Sequence, residues 1–268
     1  MTADLLDFDD IENWAPRLAA ALNDHLPSNI GSMLAAKSPR YIEDARDLLF
    51  EIADRDAIIE AALAWVRSSS LAGYHGTRLT DAEVVSVQTM GLLPLKAEAR
   101  RDRLVRALSP HPRWSEVVGQ LDTVLHSHGE GGAAGRREDQ VHLTLSRSGL
   151  TNGFNHYLTH GAEFDQHVAH SLLGADGKKL LRRDGMPRVV QVAVPGDVAL
   201  RTAHPFFDIE HLRANGDMPN VVHQFIDAWS FRLAHPEFQS RTLEVDCGFF
   251  FRSPVPADWI VKIETLDD

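Results

Sequence analysis

Cysteine is almost absent: Cys247 is the only one among 268 residues. No disulfide within the chain is therefore possible, and a reducing compartment suits it. No apolar run approaches the roughly 20 residues of a membrane-spanning helix, so no membrane partner is expected. The opening MTADLLDFDDIENW is acidic where a secretory signal needs positive charge ahead of an apolar stretch, so the expected compartment is the cytoplasm. Positive charge is also scarce: 27 Lys and Arg against 38 Asp and Glu leave a net charge of -11 with histidine neutral. That balance repels polyphosphate at long range and argues against loose, charge-driven binding to nucleic acid or anionic membrane. No internal repeat and no long low-complexity tract interrupts the chain.

What is present suffices for a full core, since 44% of the residues are hydrophobic. Between residues 9 and 70 the pattern is helical, with Ile42, Ala45, Leu49 and Ile52, then Ile59, Ala62, Leu63 and Val66, at spacings of three and four. Asp9 and Glu12 resemble an N-cap pair, and Pro27, Ser28 and Gly31 separate helices. After Ser68-Ser69-Ser70, residues 71 to 75 read as a strand. Thr80 and Glu83 then form a capping box, and Gly91 and Pro94 end the helix it opens. Residues 96 to 124 read as helical and 127 to 135 as a glycine-rich loop. Strands are expected at 141–146, 189–194, 248–251 and 259–263, separated by helices near 163–173 and 221–233. Two basic clusters, Arg100, Arg101, Arg103 and Arg106, then Lys178, Lys179, Arg182 and Arg183, are expected to be solvated faces. The expected architecture is α+β, with an amino-terminal helical module over 1–70 and a catalytic domain over 71–268.

The segment Tyr74-His75-Gly76-Thr77-Arg78 joins a strand end to a capped helix and sets an imidazole, an unhindered backbone and a hydroxyl together. Without a β-carbon, Gly76 lets a planar ligand approach its amide and carbonyl, while His75 offers a ribose hydroxyl an uncharged partner. A polar strand face at His142, Thr144 and Ser146 follows, and then an aromatic at Tyr157. This order resembles the ADP-ribosyltransferase superfamily, specifically its histidine-tyrosine-glutamate class, over residues 71 to 268. The resemblance implies a split-sheet catalytic domain that uses NAD as substrate and releases nicotinamide. It implies that His75 holds a ribose, Gly76 holds the carboxamide and Tyr157 stacks on the nicotinamide, with Tyr74, Thr77, Arg78, His142, Thr144 and Ser146 lining the cofactor.

The sequence departs from that class in two places. His142 stands where many members carry tyrosine, and the carboxy-terminal strand begins Gly248-Phe249-Phe250 where many begin with the catalytic glutamate. Glu163, near a helix start six residues after Tyr157, is one source of the carboxylate, and Asp246 or Glu244 is the alternative. A carboxylate is wanted because cleavage between nicotinamide and ribose builds positive charge on the sugar. The resemblance leaves the acceptor open among protein, nucleic acid and small molecule, and extends to toxin, effector or phage-defence roles. It assigns nothing to the helical module, which by position is a candidate for a target or a neutralising protein. Two rivals remain. His156, His160 and Glu163 have the spacing of a two-histidine carboxylate metallohydrolase site, and a catalytically inactive module that binds NAD or a partner would dispense with the missing strand carboxylate.

Overall fold

The computed structural model describes residues 5–129, 139–204, 206–207, 209–215, 217–243, 245 and 247–267. It is α+β. In chain order the elements are β1 (Leu5–Leu6), α1 (Ile11–Leu22), α2 (Ile30–Lys37), α3 (Ile42–Ile52), α4 (Arg55–Arg67), β2 (Ser70–Leu79), α5 (Asp81–Met90), α6 (Ala97–Leu108), α7 (Trp114–Val117) and α8 (Leu121–His128). There follow β3 (Val141–Thr144), α9 (His156–His160), α10 (Glu163–Leu181), β4 (Met186–Pro195), α11 (Gly196–Thr202), α12 (Ile209–Ala214), α13 (Asn220–Ala234), β5 (Gly248–Phe251) and β6 (Ile260–Thr265). No helix among the described residues is long and apolar enough to cross a membrane.

The strands are hydrogen-bonded in the order β5-β3-β2-β4-β6, with β1 pairing parallel to β2. Strand β6 runs antiparallel to β4, from Arg188 opposite Thr265 to Val192 opposite Ile260, with a bulge between Gln191 and Val192. The chain divides into two compact units. One comprises residues 1–73, 144–149 and 193–249; the other comprises 74–143, 150–192 and 250–268. The amino-terminal helices are therefore not a compact unit by themselves, as the 1–70 and 71–268 division expected.

The reason lies in packing within the first unit. Helix α13 packs on α1, α2, α3 and α4, and Phe225 on α13 meets Trp14 and Trp65 edge-on at ring centroid separations of 4.8 and 5.2 Å. Aromatic pairs at these distances add about 0.5–1.5 kcal/mol each beyond the area they bury. The indole of Trp14 donates to the Phe8 carbonyl at 3.0 Å, so its one polar atom is satisfied. Asp9 does not cap α1, whose N-cap is Asp10 without a side-chain bond. Its carboxylate instead accepts from the Ser146 hydroxyl at 2.7 Å and the Ser148 amide at 2.8 Å, which ties the 144–149 segment to the amino terminus. Removing residues 1 to 68 would strip α13 of its packing partners, so these helices are structural where the sequence suggested a separable module.

The second unit packs α6, α8 and α10 together through Leu104, Leu108, Leu121, Phe164, Val168 and Leu172. Gly174 breaks the regularity of α10 with φ 62°, close to where the sequence ended that helix.

A buried carboxyl in the first unit carries a pH dependence. Asp227, 4% exposed on α13, faces Arg46 of α3 at 3.2 Å. Burial pushes its pKa up to about 7 against the pull of Arg46, with Glu43 and Asp47 adding to the rise. Because that value lies above the unfolded one, the unfolded chain releases its proton first as pH rises, and stability is lost between about pH 4 and pH 7. At 1.36 kcal/mol per pKa unit the loss approaches roughly 4 kcal/mol. Urea unfolding should therefore find Asp227→Asn gaining on the native chain by up to roughly that amount between pH 4 and pH 8; a constant difference across the range would show that Asp227 titrates normally.

Candidate active site

The site is built where β2 gives way to α5 and where α9 turns into α10. Thr80 caps α5 by accepting from the Glu83 amide at 3.3 Å, and Glu83 returns the bond to the Thr80 amide at 2.8 Å. Gly91 ends the helix with φ 81°, and a β-carbon there would stand 1.9 Å from the Val255 carbonyl oxygen, so no other residue fits. Gly161, at φ 79°, makes the tight corner between α9 and α10 that returns Glu163 toward Tyr157.

A network of charges holds these pieces in register. Arg103, 5% exposed, donates from Nη1 to both Glu83 oxygens at 2.7 and 2.8 Å and from Nη2 to the Arg78 carbonyl at 2.9 Å. Its Nε lies 3.3 Å from Asp165. Burial alone would push the Glu83 carboxyl up, yet Arg103 and the Thr80 amide together hold it below its usual value. Arg106 pairs with Asp184 through two bonds of 2.8 and 3.0 Å. Arg100 pairs with Asp165 through Nε at 3.0 Å and through Nη2. Arg78, 1% exposed, donates to the Leu158 and Gly185 carbonyls at 3.3 and 2.7 Å, which fastens β2 to α9 and to the turn before β4. Thus Arg100 and Arg103 are not part of the solvated face their clustering suggested, whereas Arg101 and Arg106 are exposed as expected. Arg100 and Arg103 sit on the side of α6 that carries Ala97, Leu104 and Ala107, and guanidinium groups withdrawn from water must be paired.

Beside this network lies a cavity of about 90 Å³ whose walls include His75, Gly76, Thr77, His142, Tyr157 and Glu163. The Nδ1 of His75 lies 2.9 Å from the backbone carbonyl of His142. A carbonyl can only accept, so Nδ1 carries the proton and the lone pair is on Nε2. Burial holds the imidazole pKa below its usual value, partly offset by that hydrogen bond and reinforced by the charge of Arg100. His75 is therefore a neutral hydrogen-bond acceptor at physiological pH. Across the cavity the Tyr157 hydroxyl donates to Glu163 at 3.1 Å, and the His156 ring reaches the same oxygen at 3.3 Å. Glu163 opens α10, where the helix dipole favours a carboxylate. The His142 ring stacks on Phe250 at 4.7 Å, which fixes its position in the wall.

A second cavity of about 220 Å³ shares His75, Thr77, Leu95, Gln140 and Ala162 with the first and adds Arg100, Glu83 and the apolar Leu79, Val87 and Leu92. Its Arg100 wall was not anticipated. The available signal was an arginine at a position, three residues after Ala97 and four before Leu104, that helical periodicity turns inward.

Six of the expected residues thus meet at one cavity, and others do not. Tyr74 is 2% exposed and its hydroxyl accepts from Gln191 at 3.2 Å. Tyr74 and Arg78 line neither cavity; both hold the strand in place. Thr144 and Ser146 are 7% and 0% exposed, belong to the first unit, and spend their hydroxyls on the Ser146 carbonyl and on Asp9. Gly76 lines the cavity, but the space its β-carbon would fill is taken by Leu150, 2.7 Å away at Cδ1 and 3.0 Å at Cγ. Its lack of a side chain serves this packing. Asp246 and Glu244 lie outside the described residues.

Among the described residues no group of three or more His, Cys, Asp or Glu side chains is arranged to hold a metal ion, so His160 does not complete a set with His156 and Glu163. The chain matches no protein-family model, no curated protein and no solved structure.

The tautomer and charge of His75 are measurable. Nitrogen-15 chemical shifts should find it protonated on Nδ1 alone at pH 6.5, with a titration midpoint below that of an ordinary histidine. A His75 half-protonated or more at pH 6.5 would contradict the geometry described.

Proposed function

We propose that the chain is an NAD-dependent ADP-ribosyltransferase, with a catalytic domain of the ADP-ribosyltransferase type, that transfers ADP-ribose to an acceptor and releases nicotinamide. The observation that carries this reading is one cavity whose walls hold a neutral His75 and a Tyr157–Glu163 hydrogen-bonded pair. Each group has a task the reaction requires. NAD supplies a ribose-nicotinamide bond whose electron pair leaves with the nicotinamide nitrogen, while the acceptor's lone pair bonds the same ribose carbon and its proton passes to solvent. Positive charge builds on the sugar during that exchange, and the Glu163 carboxylate is the group available to stabilise it. The Tyr157 hydroxyl orients Glu163, and its ring offers the nicotinamide an apolar face. His75, with Nδ1–H committed to the His142 carbonyl, accepts a ribose hydroxyl at Nε2 and adds no charge beside the developing cation.

The net charge of -11 favours a protein or small-molecule acceptor over bulk nucleic acid. Incubation with adenine-labelled NAD and a cell extract, followed by separation of protein, RNA, DNA and small-molecule pools, identifies which takes the label.

Glu163→Gln is expected to lower nicotinamide release by about 10²–10³-fold, the range for removing one transition-state electrostatic contact. His75→Ala should lower it by about tenfold or more, the cost of a lost hydrogen bond in a water-poor site. Circular dichroism should report an intact fold in both. Native turnover by folded Glu163→Gln would refute the assignment of that carboxylate.

A further inference from the structure

Covalent order in a dinucleotide constrains where its charges fall, and the inference drawn from it rests on the NAD reading above. With nicotinamide against Tyr157 and its ribose at His75, the next bonded group is the diphosphate. The larger cavity begins at His75, because His75 and Thr77 belong to the walls of both. Among the described residues that line the two cavities, Arg100 is the one Arg or Lys.

Its guanidinium is held before any ligand arrives. Nε donates to one oxygen of Asp165 at 3.0 Å and Nη2 to the other, and the Asp165 side chain is 1% exposed. A two-point fork onto a buried carboxylate fixes the guanidinium plane and commits Nε and Nη2, leaving the two N–H groups of Nη1 with no protein acceptor among the described residues. Asp165 does not neutralise Arg100 alone, since Arg103 approaches the same carboxylate at 3.3 Å. The Glu83 carboxylate in the same wall is turned to Arg103 and the Thr80 amide, so its charge is already met. Arg100 and His75 line the same cavity, and the charge of Arg100 helps hold the imidazole pKa down.

We propose that Arg100 is the diphosphate anchor of this site, donating through Nη1, and that it makes the site selective for a dinucleotide over the corresponding nucleoside. Asp165 is a positioning residue in this arrangement: it touches no ligand and sets the angle of the group that does. A diphosphate carries no nicotinamide chemistry, so the anchor can be tested apart from turnover.

The experiment uses the full chain with Arg100→Gln and Arg100→Lys, each checked for native circular dichroism and melting. Calorimetry with ADP, which presents a diphosphate without nicotinamide, is run beside nicotinamide release from NAD and from nicotinamide riboside. Losing a charge-assisted hydrogen bond costs about 1.5–3 kcal/mol, so Arg100→Gln should weaken ADP binding and lower kcat/KM for NAD by roughly 10–150-fold, chiefly through KM. Turnover of nicotinamide riboside, which has no diphosphate, should fall far less than turnover of NAD. Arg100→Lys should recover only part of the loss, because an ammonium lacks the fork that Asp165 orients. Equal losses on NAD and on the riboside would overturn the proposal, as would unchanged ADP affinity in Arg100→Gln or no ADP binding by the native chain. ADP binding that depends on Arg100 without nicotinamide release from any substrate would sink the transferase reading and leave the anchor standing.

Discussion

A guanidinium removed from water must be answered by charge and by hydrogen bonds, and Arg103 is the place where this chain meets that demand. Leaving it unpaired would cost several kcal/mol, a sizeable part of the 5–15 kcal/mol that typically separates folded from unfolded protein. Its partners come from four parts of the chain: Glu83 at the start of α5, the Arg78 carbonyl on β2, Asp165 on α10, and Asp184 in the turn before β4 at 3.5 Å. A β-carbon at Gly161 would stand 3.6 Å from its Nη2, so the corner between α9 and α10 passes close over it. Satisfying one buried cation therefore fixes both halves of the candidate site. His75 precedes Arg78 on the same strand, and Tyr157 and Glu163 flank the corner that Arg103 supports.

The electrostatics that follow are unequal across the cavity. On one side His75 is neutral, with its Nδ1 proton spent on a backbone carbonyl. On the other, Glu163 sits at the favourable end of a long helix with a phenol hydrogen-bonded to it. A carboxylate and an uncharged acceptor facing one small space suit a reaction in which a sugar gains positive charge and its hydroxyls need orientation. The walls of this space also border a larger cavity whose Arg100 is held by the buried Asp165. These features are local to the second unit, while the first is held by its aromatic cluster and by Asp9 reaching the 144–149 segment.

Much of this was legible in the sequence, and the misses have physical causes. The Thr80–Glu83 capping box and the Gly91 stop are local signals, and both form. Elements with strong periodicity, such as β4 and α13, lie near where they were expected. The meeting of His75 with Tyr157 and Glu163 at one cavity is what the family resemblance implied. What escaped were pairings distant in sequence. Asp9 has the look of an N-cap, but two seryl donors some 137 residues onward claim its carboxylate. Polar alternation at Thr144 and Ser146 reads as a ligand face, yet their hydroxyls turn to the backbone and to Asp9. Arg100 and Arg103 of α6 read as solvated because charge usually is, and only the apolar residues three and four positions away betray that they point inward, while Arg101 and Arg106 do face solvent. Nothing local indicates that residues 193–249 pack with the first 73, since that depends on tertiary contacts of Phe225.

The most direct measurement is a crystal structure with a carba-analogue of NAD that cannot release nicotinamide. The account predicts the nicotinamide against Tyr157, a ribose hydroxyl within hydrogen-bond distance of His75 Nε2, and Glu163 beside the ribose carbon that bears the ring. An analogue bound away from His75 and Tyr157, or none bound at millimolar concentration, would contradict it.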